Sequence, residues 1–458
     1  MNRFLQIKQE QAKATADAAA GIAKAPPAQR QVLEKRMRDS YVEEIIPFRS
    51  EPVIKEDYVN VFGRIRMGKI LEDLDALSGS IAYLHCDDNM TNTSPFKIVT
   101  ASLDRLDLLQ DIPPDEDVRM SGMVTYVGTS SMEISIMMET MDPAHSRSAG
   151  AAGAADADGT PGSHAVDPIP PDAFTMVALD SETGRPATVN RLLLETPEER
   201  RIARIGQMHK KRKQELAQRK TTQALTESEM RDLHAVLAHP PRDDPSAIWM
   251  GDTEVQSLTL TYPQNRNIHS NIFGGYLMRR AFELGYANAL MALKVPRVYF
   301  TALDDITFNA PVPIGCLLNL TSHIVYAPGG GSHTLQCTVR AEIIDPVSHS
   351  RKLSNEFNFT FLSETPVPRV IPRTYAEGLR WIEGRRRHQR AEEMSQFNMG
   401  SIPLHSATTA TTASTATSPA SAPESESATS TTSATASPSA AAAQEALAAT
   451  PRLAEPAA

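Results

Sequence analysis

The sequence predicts an α+β protein built from two copies of one unit, each a long helix followed by a run of antiparallel strands. Three observations carry this reading. First, the chain repeats internally: aligning Gly68 with Gly275 lays NVFGRIRMGKILEDLDALSG on NIHSNIFGGYLMRRAFELGY without a gap, and a repeat of this length marks duplicated structural units. Downstream, Val99-Thr-Ala-Ser-Leu-Asp matches Phe300-Thr-Ala-Leu-Asp-Asp, and Met123-Val-Thr-Tyr-Val-Gly matches His323-Ile-Val-Tyr-Ala-Pro. Second, KILEDLDALSGSIAYLH and YLMRRAFELGYANALMAL are rich in helix formers and poor in breakers. Third, SMEISIMME, CLLNLTSHIVY, HTLQCTVRAEII and NEFNFTFL are short stretches of β-branched and aromatic type.

The elements follow in order along the 458 residues. Residues 1–45 form an extension whose first thirty are Ala-rich, with Arg3, Lys8, Lys13, Lys24 and Arg30 outnumbering Glu10 and Asp17. That composition fits either a faint mitochondrial presequence or a frayed polar helix. Residues 46–190 hold the first copy, interrupted at about 142–172 by AGAAGAADADGTPG, a low-complexity insertion between two strands. A charged helical linker occupies 191–245, with a capping-box pattern from Thr226 to Glu229 and its charge read as a solvated face. The second copy spans 246–400. From Ser401 onward the chain collapses to Ala, Ser, Thr and Pro, which cannot bury enough apolar surface to offset the entropy of ordering, so a disordered tail is expected.

Composition bounds the function. Hydrophobic residues make up 41% of the chain, which suits globular cores, and a net charge of −9 with a pI near 5.8 offers no global attraction to nucleic acid. Cys86, Cys316 and Cys337 are widely spaced and odd in number, so neither a disulfide framework nor a zinc site is expected. No run of about 18 apolar residues exists and no apolar signal core opens the chain; a soluble, intracellular protein without a membrane span is expected.

One loop carries a chemical signal. NRNIHSNIFGGYLMRRAFE, residues 265–283, runs from amides and a histidine into Gly274-Gly275 where a helix begins. Unpaired N–H groups and the positive end of the helix dipole there suit an anion or a polarised carbonyl, although capping residues produce the same pattern.

At this point the residues resemble a known group, the hotdog-fold acyl-CoA thioesterases, and within them the tandem-hotdog acyl-coenzyme A thioesterase 9 family. MRDSYVEEIIPF at 37–48, IRMGKILEDLDALSGSIAYLH at 65–85, FTMVALD at 174–180, and NIFGGYLMRRAFELGYANA with FTALDDITFNAPVPIG carry the resemblance, over roughly 37–385. It implies two tandem hotdog domains, each a long helix wrapped by a curved antiparallel sheet, with the two helices side by side. The implied reaction is hydrolysis of an acyl-CoA thioester to free acid and coenzyme A. Coenzyme A is then part of the substrate and no separate cofactor is expected. Mitochondrial location and assembly into homo-oligomers are implied as well.

The site follows from spacing and resemblance together. Asp75 lies seven residues after Gly68, about 10 Å along the helix, so it cannot share a carbonyl with its own helix start. Antiparallel packing of the two repeat helices would bring Gly274 and Gly275 beside it. By resemblance, Asn267 on the loop and Asp75 on the partner helix do the chemistry: Asp75 would activate water, the Gly275 amide would stabilise the oxyanion, and Asn267 would orient water or substrate. Gly274, Asn271, Arg279 and Arg280 are expected to bind substrate, the arginines forming part of a basic rim for coenzyme A phosphates, with Arg64 and Arg66 as further candidates.

The remaining candidates take lesser roles. The mirror-image site pairs Asn60 with Phe282, and Glu283, one residue on, should point elsewhere by about 100°, so that site is expected to be inactive. His269 is read as a loop hydrogen-bonder, Glu72 and Asp73 as solvated or paired, and Asp304 and Asp305 as structural or subunit contacts. The alternatives are a hotdog acyl-CoA hydratase or dehydratase, which needs a His facing the acid, and a non-enzymatic acyl-CoA-binding protein.

Overall fold

The computed structural model describes residues 31–88, 96–108, 112–141, 172–181, 183–222, 225–238, 247–267 and 271–399. The N-terminal thirty residues, almost all of the insertion expected at about 142–172, His269 and the tail from Ser401 lie outside the described residues. The described residues belong to the compact unit that extends to Ser401.

Each copy of the repeat becomes a helix laid on an antiparallel sheet. In the first copy, strand β1 (Val42–Ile46) precedes helix α1 (Met67–Cys86), whose buried side chains Ile70, Leu71, Leu74, Leu77 and Ile81 recur at three- and four-residue spacing and so share a face. Strands β2 (Phe96–Leu103), β3 (Leu106–Asp107), β4 (Asp117–Val127), β5 (Ser131–Met141) and β6 (Asp172–Asp180) follow. Their inward residues, among them Met120, Val124, Ile134, Phe174 and Met176, close over α1 in one continuous apolar core.

The second copy repeats this order. Strand β7 (Val255–Leu260) leads to helix α4 (Gly274–Leu293) and then to β8 (Tyr299–Leu303), β9 (Ile306–Thr307), β10 (Leu317–Tyr326), β11 (Thr334–Ile344) and β12 (Arg351–Leu362). Its core is more aromatic, with Phe282 of α4 meeting Phe300 at 5.2 Å and Phe359 at 5.6 Å between ring centroids, both edge to face.

The two sheets are stitched by exchange of their shortest strands. The first has the order β9-β2-β6-β5-β4-β1 and the second β7-β10-β11-β12-β8-β3, every pairing antiparallel. Strand β3 of the first copy thus pairs with β8 of the second, and β9 of the second with β2 of the first. Neither sheet is complete without the other half of the chain.

Between the copies run helices α2 (Pro197–Thr222) and α3 (Glu227–Ala238), and helix α5 (Tyr375–Met399) follows the second sheet. Part of the charge on α2 turns toward its own sheet: Lys213 Nζ lies 2.6 Å from Asp104 Oδ1 and donates to Thr175 Oγ1 at 2.7 Å, and His209 meets Glu133 at 3.2 Å. Helix α5 does the same on the second sheet, where buried Arg387 reaches Thr338 at 3.1 Å and Asp304 at 3.5 Å. The α3 capping box forms, the Thr226 N–H donating to the Glu229 carboxylate at 2.8 Å and the Glu229 N–H to Thr226 Oγ1 at 3.3 Å. That carboxylate also holds Arg386 of α5 through two 2.6 Å hydrogen bonds.

Candidate active site

The central contact is between the two repeat helices, which run antiparallel. Gly275, in the first turn of α4, lies so close to the second turn of α1 that a Cβ there would sit 2.9 Å from the Glu72 Cα and carbonyl oxygen. Gly68, in the first turn of α1, meets Arg279 and Phe282 in the mirror arrangement, with a Cβ 3.3 Å from the Arg279 carbonyl oxygen and from the Phe282 ring. Glycine at 275 is therefore demanded by the approach of the neighbouring backbone.

That approach sets Asp75 against the start of α4. The carboxylate is fully buried. Its Oδ2 accepts the Gly275 N–H at 2.6 Å, and its Oδ1 accepts the Thr100 hydroxyl at 2.7 Å. Burial pushes the carboxyl up to about 6, and the hydrogen bonds from Thr100 and Gly275 hold it below where burial alone would put it. A Cβ on Gly274 would come 3.0 Å from Asp75 Oδ2, so small residues at both 274 and 275 admit the carboxylate.

A cavity of about 230 Å³ opens beside this contact. Asp75, Lys97, Thr100, Asn267 and Asn271 are among its polar lining residues, and Gly274, Ala76, Gly79, Tyr83, Ile98, Met176, Leu277 and Phe308 belong to the rest of the wall. The Asn267–Asn271 turn is closed by its own backbone: the Asn267 N–H donates to the Asn271 carbonyl at 2.7 Å, and the Asn271 N–H to Asn267 Oδ1 at 3.2 Å. With Oδ1 committed to the loop, the NH2 group carries the donor capacity of Asn267.

The structure thus brings together Asp75, Gly274, Gly275, Asn267 and Asn271. The Gly275 N–H, expected to face an oxyanion, points at the Asp75 carboxylate here. Arg279 and Arg280 are placed differently from the expected rim. Arg279 bonds Glu72 at 2.9 Å and Glu283 at 3.2 Å, and Arg280 bonds Glu283 at 3.4 Å, so neither belongs to the lining of the Asp75 cavity. The cause is the antiparallel packing: Arg279 and Glu72 are equivalent positions of the two copies and meet near the axis that relates them.

Thr100 was hidden from the sequence alignment, which set it against Thr301. Both β2 and β8 carry an irregularity, after Thr100 and after Phe300, and the strand register pairs Leu103 with Phe174 and Leu303 with Phe359. Thr100 therefore corresponds to Phe300. At the mirror site Phe282 and Phe300 replace Asp75 and Thr100, and a smaller cavity of about 170 Å³ is lined by Asn60, Arg64, Gly68, both phenylalanines and Tyr286. Glu283, expected to point elsewhere, belongs to the wall of this mirror cavity, where Arg66 binds it at 2.6 Å. Among the other acids, Asp73 accepts the Tyr58 hydroxyl at 2.6 Å, and Asp304 and Asp305 are bound by Arg105 at 2.6 Å and by its N–H at 2.8 Å.

No family model matches the chain. It is 33% identical over 373 residues to the mitochondrial acyl-coenzyme A thioesterase 10 of Mus musculus, covering 79% of this chain and 80% of the relative. It is 34% identical over 366 residues to the mitochondrial acyl-coenzyme A thioesterase 9 of Homo sapiens, covering 77% of each. A solved acyl-CoA hydrolase of Staphylococcus aureus, in complex with butyryl coenzyme A, is 22% identical and superposes on 34% of this chain and 99% of its own, with a TM-score of 0.30.

Proposed function

The chain belongs to the family of acyl-coenzyme A thioesterases 9 and 10, and from that premise we propose that it hydrolyses acyl-CoA thioesters at one composite site between two tandem hotdog domains. The hydrogen bond from Gly275 to Asp75, spanning 200 residues of sequence on the wall of a cavity, is the observation that carries the proposal.

The chemistry follows from the donors. A thioester carbonyl entering over Gly274 and Gly275 takes the Gly275 N–H for its oxygen, where negative charge develops. Asp75 then loses one of its two hydrogen bonds and becomes a stronger base, while Thr100 keeps it oriented. The carboxylate removes a proton from water, whose oxygen attacks the carbonyl carbon, with Asn267 orienting that water. The carbon–sulfur bond breaks as the tetrahedral intermediate collapses, and the proton held by Asp75 passes to the departing coenzyme A thiolate.

The dehydratase alternative requires a histidine opposite the acid. The described residues of the cavity wall include none, and His269 lies outside them. Mitochondrial residence, which the names of the relatives suggest, and self-assembly belong to the same proposal.

Thiol release from a panel of acyl-CoAs tests it. Asp75→Asn should lower kcat by at least about 10²-fold, in the range of losing a positioned acid–base group. Glu283→Gln, at the mirror site, should leave kcat within about threefold, on the scale of a group outside the chemistry. Equal losses in the two variants would overturn the single-site assignment.

A further inference from the structure

We infer that Gly79 is the gate of the acyl channel and sets the length of chain the Asp75 site accepts. The inference rests on the hydrolytic reading above and adds the residue that limits acyl-chain length at that site.

Asp75, Ala76, Gly79 and Tyr83 all line the cavity from helix α1, and 75, 79 and 83 repeat at four residues, one stripe along a helix. Glycine in the interior of a 20-residue helix is unfavourable, and a structural reason is absent here. Gly79 does not have a positive φ, and among the described residues a Cβ built on it would meet nothing within 4 Å. Contrast Gly275, where a neighbouring backbone forbids a side chain. What the missing side chain at 79 provides is open channel.

The second copy of the repeat supplies the control. At the offset that superposes Gly68 on Gly275, Gly79 corresponds to Tyr286, just as Asp75 corresponds to Phe282. The Tyr286 ring stacks 6.0 Å from Phe282 and lies 6.1 Å from Phe361. The half with Tyr286 at this position keeps the smaller cavity, about 170 Å³, and the half with Gly79 the larger, about 230 Å³.

Tyr83 lies further along the same stripe of the wall. Its hydroxyl accepts the Ile98 N–H at 3.2 Å, which fixes the ring between helix and sheet. Eight residues of helix separate Asp75 from Tyr83, about 12 Å.

The test compares the purified full chain with Gly79→Ala and Gly79→Tyr, measuring thiol release from acetyl-CoA and octanoyl-CoA. The octanoyl-to-acetyl ratio of kcat/KM should fall roughly tenfold in Gly79→Ala and about a hundredfold or more in Gly79→Tyr, as pocket-filling discriminates between chains. An octanoyl-to-acetyl ratio that stays at the wild-type value would overturn the gate, as would an equal loss on both substrates. If Gly79→Tyr does not fold, Gly79→Ala decides, because its methyl enters empty space in a helix and should leave Tm unchanged or higher. Absence of thiol release by the wild type from either substrate is a separate outcome and would overturn the hydrolytic reading itself.

Discussion

Asp75 is held as a base at a cost that can be measured. Its carboxyl rises from an ordinary value of 3.8 to about 6, chiefly through burial. For activity, the reactive form is the carboxylate, so kcat/KM should fall as pH drops below about 6 and level off above it. For stability the sign is opposite. Between about pH 4 and 6 the folded protein keeps a proton that the unfolded chain has released, so this group's contribution is complete below the unfolded value and lost as pH rises through the folded one. The difference of 2.2 units between the two values corresponds to about 3 kcal/mol at 1.36 kcal/mol per unit. Asp75→Asn removes this dependence, so wild type should gain roughly 2 kcal/mol on the variant between pH 7.5 and pH 4, where most of the contribution is already present. Urea unfolding of both proteins at the two pH values measures it, and a constant gap would remove the buried-carboxylate account. Asp75 could be found in the sequence because its seven-residue spacing from the repeat glycine is a property of one helix. Thr100 could not, because the Thr-Ala pairs of the two strands match one residue out of the true register, in which Leu103 corresponds to Leu303 and Thr100 to Phe300.

At the scale of elements, two helices placed antiparallel explain both the site and the misplaced rim. A helix start cannot reach a carboxylate two turns along itself, but it reaches one on an antiparallel neighbour. Gly275 is the contact where this is least forgiving, since any Cβ there meets the Glu72 backbone at 2.9 Å. Gly275→Ala should therefore destabilise by about 1–3 kcal/mol as overpacking and lower kcat by about tenfold or more as the amide moves off its acceptor. A variant with wild-type Tm and turnover would show that the helices are not so closely set. The same antiparallel register carries Arg279 onto Glu72, which amphipathic pattern alone did not reveal, because both positions look exposed when either helix is considered singly. The helices, most of the strands and the capping box at Thr226 were legible in local pattern. The exchange of β3 and β9 was not, since a two-residue strand carries almost no periodic signal.

For the whole molecule, the proposed self-assembly has a physical counterpart in the exposed sheet edges. Strand β7 ends the second sheet and turns Leu258 and Leu260 outward at 60% and 39% exposure, with Tyr262 just beyond. Strand β1 ends the first sheet with Tyr41 and Ile45 similarly exposed. Such apolar edges are template surfaces for another chain. Light scattering at micromolar concentration should report a multiple of the 50.0 kDa chain mass, and Leu258→Glu should lower it. A 50 kDa particle for the wild type would remove the assembly.

By itself the sequence determined the duplication, the long helix and antiparallel strands of each copy, and the pairing of an acid in one half with a glycine helix start in the other. The first two are written in spacing along one chain segment or in the likeness of two, and the pairing of the acid with the glycine start came through the family resemblance. Tertiary structure decided the rest: that Gly275 donates to Asp75, that Thr100 orients it, that Arg279 pairs with Glu72, and that Gly79 lines the larger cavity and Tyr286 the smaller. The first three are contacts between residues distant in sequence, and the last is a difference in size between two cavities, about 230 Å³ beside Gly79 and about 170 Å³ beside Tyr286; local pattern encodes neither.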